Sequence, residues 1–356
     1  MRVGILTGGG DCPGLNPAIR GATLRLIRDG HTPIGILQGW KGLIEGNTVP
    51  LTEERVDEII REGGTILGTS RTNPFKSESE LKRLLENYEA LALDALIAIG
   101  GEDTLGVAYR LYEGHGIPVV GVPKTMDNDL GGTDFTFGFD SAVTVAVDAM
   151  DRLRDTAKSH ARVIVLEVMG RHAGWVALYA GIGGGADWIL IPEVPPDLDT
   201  MCDYLLRLYR QGKRYALVVV SEGVILPFED PQNLPLDEFG HPILRERGVG
   251  ARVARYIEEK TGLETRDAVI GHIQRGGPPT PFDRMLATRM GLKAAELVSE
   301  RTFGVLTALR GQEIVPVPLA EAVNRLKLVP PELYEEARQI FQRLHLQPER
   351  SGTVQG

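Results

Sequence analysis

Val3-Gly-Ile-Leu-Thr-Gly-Gly-Gly-Asp-Cys-Pro-Gly-Leu-Asn16 carries a short apolar run into three glycines and an acid. The run lacks strict alternation, which is the pattern of a parallel strand buried on both faces. Its glycines permit a tight turn and let backbone approach a ligand closely. Similar runs recur at Ile34-Gly-Ile-Leu, Ala95-Leu-Ile-Ala-Ile, Val119-Val-Gly-Val, Val163-Ile-Val-Leu, Trp188-Ile-Leu-Ile, Ala216-Leu-Val-Val-Val and Ala268-Val-Ile. Helical stretches at residues 17–28, 79–88, 141–156 and 249–260 lie among them. Strand–helix alternation of this kind predicts doubly wound α/β sheets.

Six strand ends carry acids or bases. They are Gly8-Gly-Gly-Asp-Cys-Pro-Gly-Leu-Asn, Gly100-Gly-Glu-Asp-Thr, Pro123-Lys-Thr-Met-Asp-Asn-Asp, Met169-Gly-Arg-His-Ala-Gly, Ser221-Glu-Gly and His272-Ile-Gln-Arg-Gly-Gly. In open α/β sheets ligands bind beyond the carboxyl ends of strands, and helix N-termini there offer free N–H groups to phosphate. One shared cleft is expected. Pro13 stands where a dinucleotide fingerprint would need its third glycine, and no Gly-Lys-Ser/Thr follows a loop. That argues against a nicotinamide-dependent dehydrogenase and asks for another phosphate-binding scaffold.

Composition narrows the class. The 356 residues, 42% hydrophobic and 24% charged, suffice for two domains or one large α/β unit whose core needs no staple. Two cysteines, Cys12 and Cys202, are too few for a secreted disulfide framework, and Cys12 reads as a small buried side chain. The first residues lack a signal-peptide apolar region, and no run of about 18 apolar residues exists, so a cytoplasmic protein without a membrane span is expected. A net charge of -9 argues against nucleic acid as the main partner. It leaves room for small anions, which need only a local cation cluster because distant charge is screened within about 10 Å. Residues 224–247, with Pro227, Pro231, Pro235 and Pro242, read as an excursion, and the tail after Leu346 as frayed.

The six motifs, in this order between residue 2 and about residue 300, closely resemble the 6-phosphofructokinase family. The resemblance implies two doubly wound, Rossmann-like three-layer α/β domains with mostly parallel sheets and a cleft between them. Residues 1–139 plus about 274–324 would bind the phosphate donor, about 140–273 plus about 325–345 the sugar phosphate, and 346–356 would be a tail. It also implies Mg2+, fructose 6-phosphate as acceptor, and a homodimer or homotetramer in which neighbouring subunits complete the sites.

Residue roles follow from the matching motif positions. A sugar hydroxyl is a weak nucleophile, so a positioned carboxylate must take its proton, a contribution of about 10²–10⁴-fold. By resemblance Asp127 is that base, Asp129 supports charge and metal, and Thr125 touches the sugar. An Asx-rich turn would suit Asp-Asn-Asp equally on bare sequence. Arg162, Arg171, Arg266, Arg275 and His272 match sugar-phosphate contacts, with Arg162 and Arg266 coming from the neighbouring subunit; Arg forks suit phosphate. Met169, Gly170 and Glu222 would contact the sugar. Gly10, Thr104 and Arg71 match donor contacts, with Arg71 stabilising charge on the transferred group. Glu102 and Asp103 would hold magnesium.

Asp103 and Lys124 bear on the donor. In ATP-using relatives both matching positions are glycine, making room for the nucleotide's α-phosphate. A carboxylate there would repel it by roughly 4 kcal/mol at about 4 Å and an effective dielectric near 20. Lys124 offers pyrophosphate a charge-assisted bond of about 1.5–3 kcal/mol. The pair therefore resembles the pyrophosphate-dependent branch, although Asp103 would also suit a helix N-cap. An ATP-dependent enzyme is the same-fold alternative, and a non-catalytic regulatory subunit is opposed by the intact Asp103, Asp127, Asp129 and Arg171. Arg20, Arg154 and Lys213 match cations of the family's effector pocket, but Leu24 and Glu53 stand where that pocket has arginines. Weak or absent effector control is expected.

Overall fold

The computed structural model describes residues 1–229, 244, 247–323 and 325–341, so most of the 224–247 excursion and the 346–356 tail lie outside the described residues. Among the described residues there are β1 (Arg2–Thr7), β2 (Thr32–Ile36), β3 (Thr48–Pro50), β4 (Ala95–Gly100) and β5 (Val119–Pro123). They are followed by β6 (Val163–Val168), β7 (Trp188–Leu190), β8 (Ala216–Ser221) and β9 (Thr265–Val269), then β10 (Val305–Arg310) and β11 (Glu313–Pro318). One sheet has the order β11-β10-β5-β4-β1-β2-β3 and the other β7-β8-β6-β9.

All eight apolar runs fall on strands, and interior ones such as β4 and β6 are buried at every residue. The second sheet is parallel throughout. In the first, β10, β5, β4, β1 and β2 run parallel, and the edges β3 and β11 are antiparallel. β9 departs from burial on both faces: Arg266, Asp267 and Val269 are exposed, because it is an edge strand. β11 contains Pro316, which an edge tolerates because that side of the ladder needs no donor.

Helix Phe139–His160 runs from the end of the first sheet's loops to the start of β6. Its N-terminus is held by Asp283, on helix Pro281–Ser299, whose Oδ2 accepts from Ser141 N (2.8 Å) and Ser141 Oγ (2.6 Å). An acid there also complements the helix dipole. Burial pushes the Asp283 carboxyl up to about 6. Among the described residues no helix is long and apolar enough to cross a membrane.

Candidate active site

β1, β4 and β5 end side by side, which brings three of the motif loops together. Gly8 N extends the ladder to Ile99 O at 3.0 Å. Thr104, from the first turn of helix Glu102–His115, is buried as a wedge between two strand ends. A Cβ on Gly8 would lie 2.4 Å from its Oγ1, and one on Gly100 2.3 Å from its Cβ. Gly101, not Asp103, is the N-cap of that helix; Glu102 and Asp103 are its first two residues, which puts both acids at the positive end of the dipole.

Lys124 N pairs with Gly100 O, and its ammonium turns back to donate to the Gly10 carbonyl. The side chain is 4% exposed, and burial pulls its affinity for protons below the usual lysine value. Arg275 approaches the same loop: its Nη1 donates to Asp11 O at 3.0 Å, and a Cβ on Gly10 would lie 2.7 Å from that nitrogen. Two cations thus converge on Gly10-Asp11. Cys12 is fully buried, its Sγ donating to Phe137 O at 3.7 Å, and burial pushes the thiol up to about 12. It is a packed, inert group.

The loop after β5 is closed by its own polar groups. Thr125 Oγ1 accepts from Asp127 N (3.1 Å) and donates to Asp129 Oδ1 (3.1 Å). Thr136 Oγ1 donates to Thr125 O (2.6 Å), while Thr136 N donates to Asn128 Oδ1 (3.1 Å). Asn128 is left-handed at φ 53, a conformation Asn tolerates better than most residues. The turn is thus closed by the Thr125 hydroxyl two residues before Asp127, an ST turn rather than an Asx turn, and Asn128 ties it to Thr136. Asp127 Oδ1 is buried with no hydrogen-bond partner. Burial, together with the Asp127 charge, pushes Asp129 up to about 7.

The second sheet supplies the opposite wall. Glu222 follows β8, its N donating to Val168 O at 2.9 Å. Burial and then the charge of Asp127 push its carboxyl up to about 7, with Arg171 opposing, so Glu222, Arg171 and Asp127 share one electrostatic field. Met169 N donates to Gln274 Oε1 (2.8 Å), which ties this wall to the turn carrying His272 and Arg275. Gly170, at φ 143, accepts from Ser221 Oγ (2.6 Å) and Gly223 N (3.0 Å). A side chain there would be strained and would meet Ser221. His272 is exposed, as is Arg71.

Arg162 and Arg266 are not brought to this cleft within the chain. They lie at the amino edge of the second sheet, before β6 and early in β9, and both pair with Glu264 (2.9 and 2.8 Å). The three cations matched to an effector pocket are engaged locally: Arg20 with Asp57, Arg154 with the Gly184 carbonyl, and Lys213 with Asp187. Gln274, inside His272-Ile-Gln-Arg-Gly-Gly, ties the two walls although the resemblance implies no role for it. Asp283 and Lys327, which donates to Asn128 Oδ1 at 3.1 Å, gave no local signal, since each acts through residues far away in sequence.

Among the described residues no cluster of three metal-ligating side chains occurs. Glu102 and Asp103 still fit magnesium: two hard carboxylates in one helical turn, with Glu102 near enough to Asp129 to act on its charge. Magnesium is commonly held by one or two carboxylates, with waters and substrate phosphates completing the shell.

Paired α/β sheets whose carboxyl ends face cations and carboxylates across a cleft define a protein of the phosphotransferase class. The model of the phosphofructokinase family matches residues 2–298, and the chain belongs to that family. It is 51% identical to a pyrophosphate–fructose 6-phosphate 1-phosphotransferase of Dictyoglomus thermophilum, over 96% of this chain and 99% of that one. An ATP-dependent 6-phosphofructokinase of Corynebacterium efficiens is 48% identical over the same shares. A pyrophosphate-dependent phosphofructokinase structure from Marinobacter aquaeolei, 24% identical, superposes with a TM-score of 0.80 over 96% of this chain and 91% of its own. That likeness is one of fold.

Proposed function

We propose that the chain transfers a phosphoryl group from pyrophosphate to the 1-hydroxyl of fructose 6-phosphate, giving fructose 1,6-bisphosphate and phosphate, reversibly and with magnesium. The observation that carries this reading is the buried Lys124 ammonium folded onto the Gly10 carbonyl beside an unpartnered Asp127 oxygen. Asp127 takes the hydroxyl proton as the sugar oxygen attacks phosphorus, and the bond to the departing phosphate breaks with its electron pair. Lys124, Arg71 and Gly10 hold donor phosphates, with Thr104 fixing the loop. Glu102 and Asp103 would hold magnesium, which when bound would offset phosphate charge. Thr125, Asp129, Met169, Gly170, Arg171, Glu222, His272 and Arg275 orient the sugar phosphate.

The first sheet, with residues 1–139 and about 274–324, forms the donor half; the second, with about 140–273 and 325–345, forms the sugar half. Half-buried Arg162 and exposed Arg266, at the amino edge of the second sheet, complete the site of a neighbouring copy in a cytoplasmic homodimer or homotetramer. The test is initial rates with fructose 6-phosphate and magnesium, comparing pyrophosphate with ATP at equal concentration. Preference for pyrophosphate supports the reading. Preference for ATP, the donor in the name of the Corynebacterium relative, keeps the family and overturns the donor. Inactivity with both overturns the sugar substrate.

A further inference from the structure

Residues 325–329 cross between the two walls of the cleft and bond to both. On one side Lys327 N donates to Asp129 O (2.8 Å) and Gly131 N to Arg325 O (3.0 Å), around a bridge pairing Leu130 with Leu326. On the other side Trp175 Nε1, directly after the Met169–Gly174 loop, donates to Lys327 O at 2.8 Å. Val329 N and Gly174 N then share Glu193 Oε1, each at 2.9 Å. The Lys327 ammonium reaches back to Asn128 Oδ1 (3.1 Å) and to the Asp134 carbonyl, and lies 5.0 Å from the Trp175 ring centre and 5.6 Å from that of Phe135.

The segment lies beyond the residues 2–298 that define the family match. Asn128 is the left-handed residue between the two acids, and among the described residues its side-chain oxygen accepts from Thr136 and Lys327. Asn128 Nδ2 is buried without a partner, so the amide is fixed through its oxygen, by Thr136 and Lys327. Lys327 therefore joins the turn that aims Asp127, through its side chain and alongside Thr136, to the facing Met169–Gly174 loop, through its own carbonyl.

We infer that Lys327 is a positioning residue: it sets the spacing and aim of the Asp127 turn against the Met169–Gly174 loop across the cleft. The inference rests on the reading of Asp127 as the base. Reacting atoms must meet within a few tenths of an ångström, and a displacement of about 1 Å can cost on the order of 10²-fold.

The experiment uses the full-length protein with Lys327→Met, which keeps the aliphatic stem and removes the donors. The expected result is a kcat lower by about 10–100-fold with KM for fructose 6-phosphate changed less than about threefold. Amide exchange should rise together in residues 125–136 and 169–175. In an Asn128→Gly background, which needs no side-chain support at positive φ, Lys327→Met should cost much less than it does alone. Should Lys327→Met fold poorly, Trp175→Phe removes one bond to the strap and should raise exchange in both loops. Unchanged kcat and unchanged exchange in these variants overturn the inference, as does a loss no smaller in the Asn128→Gly background. A parent enzyme without turnover would instead count against the proposed reaction, and the exchange measurement alone would then decide whether the strap couples the loops.

Discussion

The Lys124 ammonium donates to the Gly10 carbonyl, so a cation carried at the end of β5 is folded back onto the loop that follows β1. Arg275 holds the next carbonyl, that of Asp11. Backbone carbonyls are weak partners for cations compared with phosphate oxygens. Both groups are thus parked where a phosphate would draw them.

Donor choice follows from this arrangement. Lys124→Met should raise KM for pyrophosphate by about 10–100-fold, the equivalent of a charge-assisted bond. Joint replacement Asp103→Gly with Lys124→Gly should raise the ratio of ATP to pyrophosphate turnover. Initial rates on both donors check this; a ratio that stays put would detach these two positions from donor choice.

Subunit mixing tests the shared site. Asp127→Asn would lack the proposed base and Arg162→Ala the proposed cross-subunit cation, so each homogeneous preparation should lose kcat/KM, the first by about 10²–10⁴-fold. Co-refolded mixtures would contain sites with both groups intact and regain part of the activity. If mixtures stay as inactive as their components, Arg162 serves only its own chain through Glu264.

Asp283 makes stability depend on pH. Its folded carboxyl titrates near 6, above the ordinary value of 3.8, because burial disfavours the charge. Between those values the folded state binds more protons than the unfolded one, so this group's contribution is complete below the unfolded value and is lost as pH rises through about 6. The Tm of the parent minus that of Asp283→Asn should therefore shrink from pH 4 to pH 6.5. A difference that grows over this range would mean the Ser141 hydrogen bonds outweigh burial.

Glu229 holds two arginines at once, Arg247 at 2.6 Å and Arg252. Arg247 is 6% exposed and also donates to the carbonyls of Glu222 and Val224. Removing one partner leaves a buried charge uncompensated, so Glu229→Ala should destabilise by about 3–5 kcal/mol. Urea unfolding checks this; a loss below about 1 kcal/mol would class the pair with exposed ion pairs.

The interior strands were legible because parallel strands covered on both faces must be apolar throughout, as in Ala95-Leu-Ile-Ala-Ile. β3 is three residues long, and β11 has Pro316 and Pro318, so neither has a strand's usual pattern. β10 has a buried centre and glycines on both sides, but Thr307 and Arg310 break its apolar run, so it lacks the mark of the interior strands. The strand-end motifs located the cleft because glycines and acids stand next to one another in sequence. Nothing local could reveal Gln274, Asp283 or Lys327: their bonds to Met169, Ser141 and Asn128 join segments that only the fold brings together.

The order of strands has a consequence for how the chain comes off the ribosome. β6 to β9 are consecutive in sequence and can pair as soon as residue 269 is available. β5 pairs with β4 early but cannot receive its second neighbour until β10 exists, because Val120 pairs with Val305. Until then β5 presents an open, wholly apolar edge, the kind of surface that attracts chaperones or other nascent chains. Such long-separation pairing is slow. The second sheet is therefore expected to pair first, although its cover waits for helix Pro331–Phe341, whose Tyr334 hydroxyl donates to Ile189 O, while the first sheet stays open until β10 and β11 arrive.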